Sequence, residues 1–321
     1  MVPEDIIKRQ IKHVLKGTDF DLGRKYEGKV RDNYSIDQKR IIVTTDRISA
    51  FDRVLCEIPF KGQVINQTAA FWFNKTRHIV ENHLIDVPDP NILVAKECCL
   101  IPVEMVVRGF LTGVTTTSVW HHYSQGLRNF CGNSLPDGLK KNEALPYPII
   151  TPSTKAPKGG HDESVSAEEI LRRKLVDENI YQEMEQIALA LFKFGSELAA
   201  TNNLILVDSK YEFGLYEGQV VLIDEIHTPD SSRFWIKDTY RDRFLRGEEP
   251  EKLDKEFVRG WLANRGFRGE GPIPHIPDSI RIEAARRYIT AYEMITASSF
   301  EAQNEDVLQR IKRRLENYCS N

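Results

Sequence analysis

The 321-residue sequence has no run approaching the roughly 18 apolar residues that a membrane-spanning helix needs. It has no strong excess of either charge: 44 Lys and Arg against 47 Asp and Glu leave a formal net charge of −3, no global reason to bind nucleic acid or an anionic membrane. Any anion site must therefore be local. Cysteine is scarce, and the five present (Cys56, Cys98, Cys99, Cys131, Cys319) are odd in number and include an adjacent pair ill placed to bridge itself. They read as thiols of a reducing compartment and not as a disulfide framework. No CxxC or HExxH spacing suggests zinc, and the neighbours His121 and His122 would diverge on a helix or a strand. The GxxxxGK[ST] pattern of a Walker loop is missing, as is any internal repeat. Residues 1–15 mix Glu4, Asp5, Lys8, Arg9 and Lys12 with apolar positions, which suits a short amphipathic helix and not a signal peptide. The expectation is a soluble, cytoplasmic protein whose 41% hydrophobic content supports two or three domains with proper cores.

What is present is organised around residues 206–235, LVDSKYEFGLYEGQVVLIDEIHTPDSSRFW, where two apolar runs flank Glu217-Gly218 as in a β-hairpin. A two-residue loop would put Asp224 on the face of Tyr211, Phe213, Leu215, Val220 and Leu222, burying a carboxylate among apolar groups. A three-residue loop, Tyr216-Glu217-Gly218, sets the glycine at the left-handed position of a type I turn plus bulge. One face then reads Tyr211, Phe213, Leu215, Val221 and Ile223, and the other gathers Lys210, Glu212 and Asp224, because side chains alternate with period two. The three-residue register is the preferred expectation. An ammonium and two carboxylates on one sheet face are either a solvated salt-bridge cluster or a site in which the carboxylates hold Mg²⁺ and Lys210 faces nucleotide phosphates.

Nearer the start, YEGKVRDNY at 26–34 and the strand at 40–45 give strand, glycine turn, strand. Gly28-Lys29-Val30-Arg31 is either an ordinary hairpin tip or a turn whose backbone approaches a phosphate while two basic side chains close over it. Residues 61–73 read as a loop feeding an amphipathic helix, and 86–90, with two prolines and two aspartates, as a connection between lobes. IPVEMVVRGFLT at 101–112 is a strand that delivers Arg108 into a turn, with a helix starting near Ser118. Residues 147–164 have the composition of a linker yet carry Lys155, His161 and Asp162, reactive types for a spacer. Ser166 to Glu169 fits a capping box whose helical stripe continues to Ala200, and further helices are expected over 254–263, 279–298 and 306–318.

Seven segments, taken in order, resemble the SAICAR synthetase family: GKVRD (28–32), TTDRISAFD (44–52), VRGFLTG (107–113), TPSTKAPKGGHDE (151–163), LVDSKYEFG (206–214), IDEIHTPDSSRFW (223–235) and DKEFVRGWL (254–262). Each is weak alone; together they span nearly the whole chain. The resemblance implies an α+β fold with a small β-rich ATP lobe (1–100), a central mixed α/β lobe carrying the hairpin (101–245) and a helical C-terminal part (246–321). It implies an ATP-dependent ligase that joins 5-amino-1-(5-phosphoribosyl)imidazole-4-carboxylate to L-aspartate through an acyl phosphate, acting as a monomer or homodimer on small molecules alone. By the same resemblance Gly28, Lys29, Val30 and Arg31 contact ATP phosphates, Lys210 and Glu212 assist, and Glu212 and Asp224 hold Mg²⁺. Arg108, Ser118 and Arg233 would take the anionic ribonucleotide, with Lys155 and Asp162 beside the reacting groups and Asp254, Lys255 and Arg259 lining the amino-acid site. One departure stands out: Val114 to Thr117 separate Gly113 from Ser118, where family members read GS soon after the RG turn, so Ser118 is taken as the displaced equivalent.

Overall fold

A computed structural model describes residues 2–51, 53–115, 117–155, 163–253 and 256–319, which leaves Asp162, Asp254 and Lys255 outside the described residues. The chain begins with α1 (Glu4–Gln10), β1 (Arg24–Glu27), β2 (Arg31–Ile36), β3 (Lys39–Thr44), the hairpin β4 (Arg47–Ala50) and β5 (Arg53–Glu57), α2 (Lys61–Lys75), β6 (Leu84–Asp89) and β7 (Ile92–Lys96). It continues through β8 (Cys99–Leu111), α3 (Val119–Ser124), the short β9 (Asn129–Phe130) and β10 (Asn133–Ser134), β11 (Glu143–Ile150), β12 (Ser153–Thr154), α4 (Ala167–Arg172), α5 (Glu178–Thr201), β13 (Leu204–Tyr216), β14 (Gln219–Ile223), β15 (Ser232–Ile236) and α6 (Lys237–Leu245). Helices α7 (Glu256–Ala263), α8 (Asp278–Thr296) and α9 (Val307–Cys319) end it. Antiparallel sheets carry helices on their faces, an α+β architecture as expected.

The first sheet has strand order β1-β2-β3-β7-β6. Its outer face is closed by α9, whose Val307, Ile311 and Leu315 pack with Tyr34, Ile41, Val43, Ile92 and Val94. Within that apolar contact the buried Arg310 is bonded to Asp89 at 2.8 and 3.1 Å and to Asn91 at 2.5 Å, which satisfies a charge that would otherwise be costly to bury. The central sheet runs β11-β8-β13-β14, with β15 on β13 and β12 on β8. Alternation divides β8 and β13 cleanly: Val103, Met105, Val107, Tyr211 and Phe213 enter one core with Met184, Leu191 and Phe192 of α5. Each such side chain, fully buried, contributes about 1.5–3 kcal/mol. Among the described residues no helix is long and apolar enough to cross a membrane.

Four local expectations need correction. The β13–β14 hairpin closes through a two-residue turn, with Tyr216 opposite Gln219 and both Glu217 (φ 52°) and Gly218 (φ 80°) left-handed. That conformation matches the twist of the flanking strands, so the three-residue loop with a bulge is not formed. Residues 86–90 are the end of β6 and its turn into β7, not a connection between lobes; Pro88 is tolerated because β6 is an edge strand. The helix expected from Ser166 to Ala200 breaks into α4 and α5 at Lys174, which is left-handed (φ 53°). Helix α2 starts at Lys61 itself, so residues 61–73 hold no loop, and the helix buries that lysine.

Candidate active site

Residues opposite each other in an antiparallel pair share a face. The register of β8 with β13 sets Glu104 against Glu212, Val106 against Lys210 and Arg108 against Asp208. The face opposite the α5 core is therefore charged. Lys210 Nζ donates to Glu104 Oε1 at 2.7 Å and to Glu212 Oε1 at 2.6 Å, and Lys155 Nζ donates to the other Glu212 oxygen. Burial alone would push the Glu212 carboxyl up, but the two ammonium groups outweigh it and hold the carboxyl well below the usual range. Burial has the upper hand at Glu104, which is pushed up to about 7. At Lys210 burial works against the charge and the two glutamates overcome it, so the ammonium is held well above its ordinary value.

In the two-residue register Asp224 would face Phe213 and the apolar core if the strand continued. It does not continue: β14 ends at Ile223 and Asp224 takes a left-handed backbone (φ 66°), which releases it from the alternation. Its carboxylate joins the Glu212 side and accepts from Arg31 NH1 at 2.6 Å, while Arg31 NH2 lies 2.8 Å from Glu225 Oε2. Burial raises the Asp224 carboxyl, opposed by Arg31. Asp224 thus reaches the Glu212 side by a different route from the one expected, while Lys210 is bonded to Glu212 and Glu104.

Two clefts open on either side of this charged row. One, of about 450 Å³, is lined by Arg24, Lys25, His83, Lys96, Lys155, Glu212 and Asp224, with Ile42, Leu100 and Ile223 as apolar walls. The other, of about 520 Å³, is lined by Glu104, Arg108, Ser118, Asp208, Lys210, Asp230, Arg233 and Arg259, among others. In the second, Arg108, Asp208 and Arg233 are cross-strand neighbours on β8, β13 and β15. Asp208 accepts a two-pronged bond from Arg233 and lies 3.6 Å from Arg108 NH1. Arg108 is fixed further by Thr151 Oγ1 at 2.7 Å and the Thr117 carbonyl at 3.0 Å. Burial draws the Arg108 guanidinium down to about 10, opposed by the Asp208 carboxylate. Ser118 lines the same cleft, its hydroxyl on the Thr115 carbonyl at 2.6 Å, and Gly113 (φ 94°) lies so close that a Cβ there would meet Ser118 Cβ at 2.5 Å.

The remaining sequence candidates divide. Arg259 reaches the 520 Å³ cleft and stacks over Phe51 at 5.0 Å. Gly28, Lys29, Val30 and Arg31 are not among the residues lining either cleft; the carbonyls of the first three are taken up by Arg47 and by Thr45, which pins the turn. Arg31 connects that turn to the charged row. Among the described residues no group of three or more His, Cys, Asp or Glu side chains makes a metal cage, so a cation here would rest on Glu212, Asp224 and oxygen atoms from substrate. Sequence reading missed Glu104 and Asp208. Both had a signal, being acidic residues two or four positions from Arg108 and Lys210 in otherwise apolar strands. It also missed Asp230, held by the fully buried Lys61 at 2.6 Å and by Tyr288 at 2.8 Å, for which no local pattern exists.

A sequence model of the SAICAR synthetase family matches residues 24–272. The chain belongs to the SAICAR synthetase family. The phosphoribosylaminoimidazole-succinocarboxamide synthase of Legionella pneumophila strain Paris is 47% identical over 310 residues, 94% of this chain and 98% of the relative. The solved SAICAR synthase of Saccharomyces cerevisiae, complexed with SAICAR, is 32% identical and superposes with a TM-score of 0.78 over 89% of this chain and 99% of the other. A SAICAR synthetase in complex with ADP is 26% identical, with a TM-score of 0.66 over 87% of this chain and 100% of the other. Family membership carries the reaction: ATP-dependent condensation of the imidazole carboxylate ribonucleotide with L-aspartate in purine biosynthesis.

Proposed function

We propose that the 450 Å³ cleft takes ATP and the 520 Å³ cleft takes the imidazole carboxylate ribonucleotide, so that the SAICAR synthetase reaction occurs across the row Glu104, Lys210, Glu212. The observation that carries this is that one bonded chain of side chains belongs to both clefts: Glu104 and Lys210 line one, Glu212 and Lys155 the other. One related structure holds SAICAR and another ADP, the two kinds of ligand that this reading assigns to the two clefts.

A carboxylate is a poor acyl donor at neutral pH. Its oxygen attacks the γ-phosphorus of ATP and ADP leaves; the aspartate amine then attacks the acyl carbon, phosphate departs with the electrons of the C–O bond, and the nitrogen releases a proton. Little covalent chemistry falls to the protein, so alignment and charge neutralisation do most of the catalysis. Lys155, Lys210 and Arg31 supply positive charge beside the transferring group, and Arg108 and Arg233, oriented by Asp208, suit the phosphate monoester of the ribonucleotide. Glu212 and Asp224 face one cleft with oxygen donors fit for Mg²⁺, which when bound neutralises phosphate charge. Ser118 and Arg259 complete the proposed substrate contacts, with the lobes divided as 1–100, 101–245 and 246–321. The free thiols Cys56, Cys98, Cys99 and Cys131 suit a cytoplasmic setting.

A coupled assay of ADP release tests the reading. Release should require the imidazole carboxylate and L-aspartate together and should fail with other amines. Release that ignores the identity of the amine would make the chain a ligase of different acceptor; ATP binding without turnover would make it a nucleotide-binding module.

A further inference from the structure

The two clefts are joined by a second chain of bonds, separate from the charged strand row, and it runs through the loop after β14. Arg31 holds two consecutive carboxylates with one guanidinium: Asp224, which faces the 450 Å³ cleft, and Glu225, which is buried and faces neither cleft. The same Glu225 oxygen accepts from Thr228 Oγ1 at 2.5 Å. Thr228, fully buried, accepts with that hydroxyl the backbone N–H groups of Asp230 and Ser231, each at 3.2 Å. Asp230, Ser231, Ser232 and Arg233 are a wall of the 520 Å³ cleft. Left-handed residues at Asp224 (φ 66°) and His227 (φ 47°) flank Glu225 and Ile226.

We propose that Glu225 is a positioning residue that couples occupation of the nucleotide cleft to the arrangement of the opposite cleft's wall; this rests on the two-cleft reading above. Arg31 does not itself line the cleft, so the nucleotide acts on it through Asp224: a phosphate brought against that carboxylate repels it and changes how Arg31 shares its N–H donors between Asp224 and Glu225. Whatever Arg31 gives up at Glu225 changes how that carboxylate holds Thr228, and Thr228 fixes the turn that presents Asp230 and Ser231. Differential contact of this kind is what a coupling between two ligands requires.

Calorimetric titration of the full chain with ADP and with the imidazole carboxylate ribonucleotide, each alone and each in the presence of the other, measures the coupling directly. In the wild type each ligand should change the other's Kd by the same factor, about fivefold or more. In Glu225→Gln and in Thr228→Val that factor should fall close to one, and Thr228→Ser, which keeps the hydroxyl, should restore it. A general loss of structural integrity would weaken the two separate affinities without selectively removing their coupling, so the conservative rescue separates positioning from folding. Both ligands binding the wild type independently, or an unchanged factor in the Gln and Val variants, overturns this inference alone. Mutually exclusive binding of the two ligands overturns the two-cleft reading and this inference with it.

Discussion

The two faces of the β8–β13 pair are built from the same backbone and differ only in which residues of an alternating sequence they receive. One face, with Met105, Val107, Tyr211 and Phe213, packs on α5 and obeys the ordinary rules of volume and apolar burial. The other, with Glu104, Arg108, Asp208, Lys210 and Glu212, collects charges of both signs in ion pairs that are mostly buried, a costly arrangement that brings no apolar packing. The comparison teaches that the fold's stability and its chemistry are separable at single-residue spacing, and substitutions should separate them.

The largest effect is expected on the charged face. Glu212→Gln or Asp224→Asn should lower turnover by about 10²–10³-fold or more while the folded protein keeps the circular dichroism spectrum of the wild type. The mirror-image result is expected one residue away: Phe213→Ala, at a fully buried position, should cost about 3–5 kcal/mol in denaturant unfolding with a far smaller effect on kcat of the folded fraction. If Phe213→Ala silenced the folded enzyme, the two faces would not be separable.

A pH experiment sharpens the contrast. Glu104 has its carboxyl raised from 4.5 to about 7, so its contribution to stability is whole below 4.5 and is lost as pH rises through 7. Glu104→Gln should therefore lose less stability than the wild type across that interval, seen as a flatter plot of urea midpoint against pH. Identical slopes would mean that Glu104 does not hold its proton in the folded state. The smallest effect belongs to the hairpin turn: Glu217 sits at φ 52°, where asparagine is better tolerated, so Glu217→Asn should stabilise by about 0.5–1 kcal/mol without altering kinetics.

Much of the site was legible because charge in an apolar strand is conspicuous. Arg108, Lys210 and Glu212 were visible in this way; Arg233 was named only through the family resemblance, which also supplied the expected roles. Asp224 was found for a reason that the structure replaces. The expected three-residue loop would have carried it to the charged side, whereas the observed two-residue turn would have buried it but for its own left-handed backbone. Aspartate tolerates the left-handed region better than most residues, but that tolerance does not mark this position among the chain's aspartates; the surrounding structure selects it. The same blindness hid the break at Lys174, and Pro88 was misread because a proline in an edge strand looks like one in a linker. Asp230 was invisible for another reason: its partners Lys61 and Tyr288 are far away in sequence.

The most direct test is a crystal structure of the chain with ADP and the imidazole carboxylate ribonucleotide bound together. The account predicts the ADP phosphates beside Lys155, Glu212 and Asp224, the phosphate monoester on Arg108 and Arg233, and the imidazole carboxylate turned toward Lys210 between them. Both ligands in one cleft, or a carboxylate directed away from Lys210, would contradict it.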